Sequence, residues 1–389
     1  MPFGRTLSDY TSKNLFGIYV HVPFCVKRCP YCAFASTVVH PIPEDEFVEA
    51  LLYELDAKAK DFSHRRLHTI YFGGGTPSLL KTSTLKILLS AFSARFGLAD
   101  EITIEVNPEH VNEESAKAWK DLGFNRVSLG IQSFDAKTLA ALGRRHSPED
   151  AHFAIKTLAA ARFDDISIDL IYGCASATRE SFLADLEQAE ISAAKQLSIY
   201  ELSIEDYTAF GTRAKRGEMI KSGENEIFEQ LEIIEENVFP FQRYEISSFS
   251  RDAYYSAHNI SCWAGVPYLG LGPGAHSFNH TKDGKFYRWA NKVHLRQYFQ
   301  NPTNSLDFFE ELKAETHLAE RLILGLRTVF PLDLDAIIND TAPPYPELPT
   351  ALHRCENRGW ITRRDSEIRV TTLGLRFHDA MSVEILPSF

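Results

Sequence analysis

Through the first two hundred residues, short runs rich in β-branched and aromatic residues alternate with longer stretches of helical period. The runs are Ile18–Val22, Thr69–Gly73, Glu101–Asn107, Arg126–Gln132, Asp165–Tyr172 and Gln196–Ser203. Between them lie Glu44–Lys60, Thr82–Phe96, Glu113–Leu122, Pro148–Arg162 and Arg179–Ala194. A parallel strand pair needs a crossover connection, so six such units in series predict a parallel sheet with helices on its faces. The polar and glycine-rich residues gather at the strand ends: a cysteine loop after the first strand, Gly73-Gly-Gly-Thr-Pro77 after the second, Glu105 and Asn107 on the third, Gln132 ending the fourth, Asp169 on the fifth and Ser203 ending the sixth. A closed or partly closed barrel brings those ends to one mouth, whereas an open sheet spreads them along an edge. The pattern predicts an α/β fold, a partial (β/α)6 TIM-like barrel over residues 1–205.

Beyond residue 205 the alternation weakens. An acidic helical stretch at Glu224–Glu236 leads to Tyr244–Phe249 and then to a segment rich in Tyr, His, Trp and Gly, read as completing the barrel over 206–305. Residues 301–307 read as a linker and 339–350 as a Pro-rich loop. The remainder, 306–389, has the order of a small α+β, winged-helix-like domain: a helix through Leu322, another near Leu352–Arg358, a hairpin at Trp360–Val370 and a terminal helix. Lys and Arg number 41 against 52 Asp and Glu, a net charge of −11, and residues 347–389 balance six Arg against six acids. Phosphate neutralisation requires a basic surplus, so no nucleic acid is expected as partner, and a redox-sensing DNA regulator is disfavoured. The first fifteen residues lack a basic start followed by an apolar run, and no run of about 18 apolar residues follows; a cytoplasmic protein without a membrane span is expected.

Three of the six cysteines, Cys25, Cys29 and Cys32, form a C-x3-C-x2-C loop, while Cys174, Cys262 and Cys355 stand alone. Such crowding suits metal or cluster ligation better than a disulfide framework. Three thiolates can hold three irons of a [4Fe–4S] cube and leave the fourth open. Zinc with His21 as fourth ligand is the competing reading. The three glycines before Thr76 let the backbone approach a ligand closely, although a plain turn uses the same residues.

The segments YVHVPFC, YFGGGTPS, IEVNPE, SLGIQSF, LGRRH, IDLIYG, HN-x-x-x-W and YLGLGPGAHS, in this order, resemble the coproporphyrinogen-dehydrogenase-like branch of the radical S-adenosylmethionine (SAM) superfamily, over nearly the whole chain. The resemblance implies that Cys25, Cys29 and Cys32 hold a [4Fe–4S] cluster, fed by a reductant, whose open iron takes SAM. It implies SAM contacts at Tyr19, Gly74, Gly75, Thr76, Glu105, Gln132, Arg144, Asp169 and Ser203, with Tyr31 near the adenine and His276 close to the cofactor. Glu105 and Asp169, on apolar strands, each need a partner when buried, and Arg144 suits a carboxylate fork. Members that oxidise porphyrinogens carry a further cysteine where this chain has Phe34, which points instead to the heme-chaperone members. His258, Cys262 and Trp263 fall on those members' heme motif, with Cys262 in place of a tyrosine. The expected function is binding heme and delivering it to acceptor proteins; oxygen-independent oxidation of coproporphyrinogen III is the alternative.

Overall fold

The computed structural model describes residues 7, 14–238, 240–281, 284–339 and 345–388. The predicted order is present as β1 (Leu15–Val22), β2 (Arg66–Gly74), β3 (Glu101–Val106), β4 (Arg126–Gln132), β5 (Asp165–Tyr172) and β6 (Gln196–Glu201), each parallel to the next. Helices Glu44–Phe62, Thr82–Phe96, Glu113–Asp121, Pro148–Ala160 and Arg179–Ile191 supply the crossovers. β1 is buried on both faces except at Tyr19, as a strand covered by helices must be. Helix starts are set locally: Asn112, Ser147 and Thr178 each cap through a side chain bonded to the third residue on, with Pro148 at the first helical position. Helix Thr82–Phe96 ends on Gly97, whose φ of 82° suits glycine.

The segment after residue 205 enlarges the same sheet. Strands β7 (Gln242–Arg243) and β8 (Ser248–Ser250) continue antiparallel beyond β6, while β9 (Tyr268–Leu271) runs parallel to β1 on its other side. Then β10 (His276–His280), β11 (Phe286–Asn291) and β12 (Leu306–Leu312) extend that edge antiparallel, giving the order β12-β11-β10-β9-β1-β2-β3-β4-β5-β6-β8-β7. Seven strands are therefore parallel where six were predicted. The alternation fades after residue 205 because antiparallel neighbours need only short turns. Residues 301–307, read as a linker, contain a 3-10 turn at Pro302–Asn304 and the start of β12.

The chain thus combines a mostly parallel, barrel-like core with a C-terminal α+β region. In that region β13 (Leu332–Asp333), β14 (Ile361–Arg364) and β15 (Glu367–Val370) form a small antiparallel sheet beside helices Ala314–Gly325, Leu348–Asn357 and His378–Ile385. Of the predicted Pro-rich loop, 340–344 lie outside the described residues, and Pro349 already stands in the first turn of a helix. Two large apolar clusters organise the packing, one under the parallel sheet, including Phe16, Phe72 and Ile168, and one in the C-terminal region, including Leu318, Leu322 and Leu352; a smaller third, including Leu142 and Phe210, packs against Tyr31. Helix Ala257–Trp263 joins the second through Ile260.

Candidate cofactor cavity at the strand ends

The C-terminal ends of β2 to β6 and the cysteine loop enclose a cavity of about 430 Å³, within the range of small-molecule sites. Cys25, Cys29 and Cys32 line it with Tyr31, Gly74, Gly75 and Thr76. Glu105, Gln132, Arg144, Asp169 and Ser203 complete the wall opposite, so most of the candidate residues face one space.

All three thiols are free and partly exposed. Burial pushes the Cys25 and Cys32 thiols up, and at Cys25 a hydrogen bond from Thr76 Oγ1, 3.5 Å from Sγ, opposes it. Arg144 Nη1 lies 3.7 Å from Cys29 Sγ, while its Nη2 donates to Asn107 Oδ1 (2.8 Å) and the Gly130 carbonyl (2.7 Å). The guanidinium is therefore anchored between the loop and β4, and its buried Nε has no partner among the described residues. Among the described residues no three His, Cys, Asp or Glu side chains converge as for a single ion. A four-iron cube does not demand that, since each thiolate takes a different iron. His21, the fourth ligand of the zinc reading, is 5% exposed and committed elsewhere, Nδ1 to Tyr19 Oη (3.0 Å) and Nε2 to the Ala35 carbonyl (2.7 Å).

The glycines serve the loop as well as the cavity. A Cβ on Gly74 (φ 106°) would stand 2.5 Å from the His21 ring, and one on Gly75 would stand 2.7 Å from the Phe24 carbonyl oxygen. Gly75 N donates to the Val22 carbonyl at 2.7 Å, so the end of β2 is pressed against the chain that launches the cysteines. Helix Ala209–Lys215 holds the loop from the other side: Phe210 N donates to the Pro30 carbonyl (2.9 Å), and its ring packs 6.3 Å from that of Tyr31.

Glu105 and Asp169 are half-buried with neutral partners. Glu105 accepts from Tyr71 Oη (2.9 Å) and Gly74 N (3.1 Å), and Asp169 from Ser128 Oγ (3.3 Å). Among the described residues neither pairs with a Lys or Arg within salt-bridge distance. Burial pushes both carboxyls up, Asp169 to about 7 with help from the charge of Glu105. Two raised carboxyls in one cavity suit a ligand carrying positive charge and hydroxyls.

Five candidates outside the thiol loop stand away from this wall. Tyr19 lies on β1 in register with Tyr71, with ring centroids 6.1 Å apart. His276 is exposed at the start of β10, its ring 5.7 Å from that of Phe308. His258 is 6% exposed at the opposite, N-terminal end of the strands, sharing a 2.8 Å hydrogen bond with Thr69 Oγ1. Burial lowers its pKa to about 3. Trp263 packs with the C-terminal cluster, its ring 6.4 Å from that of Tyr244. On the same short helix, burial raises the Cys262 thiol to about 12. Cavity residues that the sequence did not mark as candidates include Tyr71, Ser128, Gly130 and Tyr200. Two-residue alternation carried their signal: Ser128, Gly130 and Gln132 share one face of β4.

A sequence model of the Radical SAM superfamily matches residues 19–189, and one of the HemN C-terminal domain matches 312–377. The heme chaperone HemW of Escherichia coli (strain K12) is 35% identical over 288 residues, spanning 73% of this chain and 75% of that protein. HemW of Lactococcus lactis subsp. lactis (strain IL1403) is 33% identical over 314 residues, 79% and 80% of the two chains. The chain belongs to the HemW family of radical SAM proteins. In fold, this HemW-family chain aligns with the solved structure of the E. coli coproporphyrinogen III oxidase HemN, a radical SAM enzyme, at a TM-score of 0.81 over 98% of this chain and 92% of that one, with 22% identity.

Proposed function

We propose that this chain is a radical-SAM-type heme chaperone, binding a [4Fe–4S] cluster through Cys25, Cys29 and Cys32 and SAM in the adjoining cavity, and passing heme to acceptor proteins in the cytoplasm. The observation that carries the cofactor reading is the meeting, in one cavity, of three free thiols with two half-buried carboxyls that have no salt-bridge partner among the described residues. Kinship with heme chaperones along about three quarters of the chain supports the choice of cargo. Phe34, 65% exposed at the cavity mouth where the porphyrinogen oxidisers have a cysteine, supports it further.

When bound, a reduced cluster supplies the electron that radical SAM chemistry uses. The residues of this chain bind and orient. Thr76 and Arg144 donate to the thiols of Cys25 and Cys29, which stabilises thiolates and fixes the loop. Glu105 and Asp169 offer acceptors to the sulfonium, ammonium and ribose hydroxyls, and Gln132 and Ser203 border the same space. Tyr31 walls the cavity against the loop as an adenine neighbour. Gly74 and Gly75 leave room for the methionine end. We read the core as a partial (β/α)6 barrel over 1–205 completed by 206–305, and 306–389 as a winged-helix-like domain.

Heme is the cargo in this reading. His258, Cys262 and Trp263 remain its candidate contacts by family likeness; Thr69 bonds His258 Nδ1, so Nε2 is the nitrogen that would meet iron. The test pairs two measurements on anaerobically reconstituted protein: conversion of coproporphyrinogen III with SAM and a reductant, and titration with heme. Stoichiometric heme binding without porphyrinogen turnover is expected. Multiple turnovers to protoporphyrinogen would establish the oxidase instead.

A further inference from the structure

The floor beneath the cavity carboxylate is aromatic and comes from two distant parts of the chain. Tyr71 on β2 donates from Oη to Glu105 Oε1 at 2.9 Å, and the other carboxylate oxygen accepts from Gly74 N. The Tyr71 ring lies stacked against the His258 ring, centroids 5.0 Å apart and planes 29° apart, with Tyr19 closing the group at 6.4 Å from His258. His258 is held in turn: Thr69 bonds its Nδ1, and Glu101 Oε1 accepts from its backbone N–H at 3.0 Å. The other oxygen of Glu101 accepts from Ala257 N at 2.8 Å. The carboxylate that begins β3 thus seats the helix that supports the carboxylate near the end of β3.

We infer that His258, on the short helix Ala257–Trp263, is a positioning residue for Glu105 in SAM binding, acting through the ring of Tyr71; this rests on reading the cavity as the SAM site. A tyrosine with no plate behind it samples other rotamers, and each one that leaves Glu105 Oε1 unbonded costs the half-buried carboxylate a donor. The stack restricts Tyr71 to the rotamer that bonds Glu105. The same connection makes the helix at the foot of the sheet and the cavity at its mouth energetically coupled, with Tyr71 as the shared part.

The experiment measures SAM affinity of the full-length, cluster-loaded protein by equilibrium dialysis, with cluster absorption and unfolding midpoint recorded for each variant. Tyr71→Phe removes the donor to Glu105 and weakens SAM on the order of tenfold. His258→Asn can keep the bond to Thr69 but loses the ring, and it weakens SAM similarly; His258→Phe keeps the ring and loses the bond, and it retains affinity. If His258 acts through Tyr71, adding His258→Asn to Tyr71→Phe costs less than about a further twofold. Additive losses, or wild-type affinity in Tyr71→Phe or His258→Asn, would overturn the inference. So would His258→Asn retaining affinity while His258→Phe loses it. A purely packing role predicts lower unfolding midpoints with unchanged affinity in the folded protein, which also overturns it. Wild-type protein that holds the cluster yet binds no SAM sinks the reading of the cavity, and the inference with it.

Discussion

In the proposed SAM site Asp169 and Glu105 share one cavity, and their titration should make SAM binding depend on pH. With its carboxyl pushed up to about 7, Asp169 keeps its proton in the folded apoprotein at acidity where the unfolded chain has lost it. Its ionisation therefore opposes folding: the contribution favours the fold below the ordinary carboxylate range and is lost as pH rises toward 7. A cationic ligand reverses the preference, so binding expels the proton. SAM affinity should rise by up to about tenfold per pH unit below 7 and level off above it. Isothermal titration in buffers of different ionisation enthalpy reads the proton release, and Asp169→Asn should flatten the profile; a flat wild-type profile would contradict the assignment. At the loop, Cys29→Ala should abolish the visible absorption of the reconstituted cluster and lower bound iron, and unchanged iron content would refute cluster ligation there.

The helix Ala257–Trp263 has only seven residues, too few to persist alone, so it depends on its ends and faces. Ser256 caps it through Asn259 N at 3.3 Å, and Glu101 takes the N–H groups of Ala257 and His258. Ser256→Ala should cost about 1 kcal/mol. Glu101→Ala should cost about 1–3 kcal/mol, because it strands two donors, the buried N–H of His258 and the part-buried N–H of Ala257. Urea unfolding midpoints measure both, and an unchanged midpoint for Glu101→Ala would show that this carboxylate does not seat the helix. The segment around residue 258 read as a binding motif through its resemblance to the family's heme motif. Its burial could not be read locally, since Thr69 and Glu101 lie more than 150 residues earlier in the chain. β9 was missed for a similar reason: Tyr268-Leu-Gly-Leu271 is short and glycine-containing, and its strand character comes from pairing with β1.

Across the whole molecule, the C-terminal region is tied to the sheet by a few polar contacts beside its own apolar cluster. Glu245, 2% exposed, accepts from Arg327 Nη2 at 3.1 Å, and Arg376 Nη2 donates to Glu235 at 2.6 Å. Removing one partner strands the other, so Glu245→Ala should destabilise by about 1–3 kcal/mol, reduced from the fully buried case because Arg327 is partly exposed. Faster limited proteolysis between helix Ala314–Gly325 and β13 would accompany it, and unaltered cleavage would show that the pair does not fasten the two regions. Among the described residues no helix is long and apolar enough to cross a membrane.

The order of the six strands, the limits of β4 and β5 to the residue, and the gathering of thiols, glycines and carboxylates at strand ends were all written in local pattern. Period-two and helical patterning report burial on one or both faces, and strand direction follows from the crossovers. Tertiary structure alone settled which of those residues touch. It put Gly75 against the backbone of Phe24, joined Glu105 to Tyr71, and drew His258 beneath both. Those contacts join residues far apart in sequence, and only folding brings them within bonding distance.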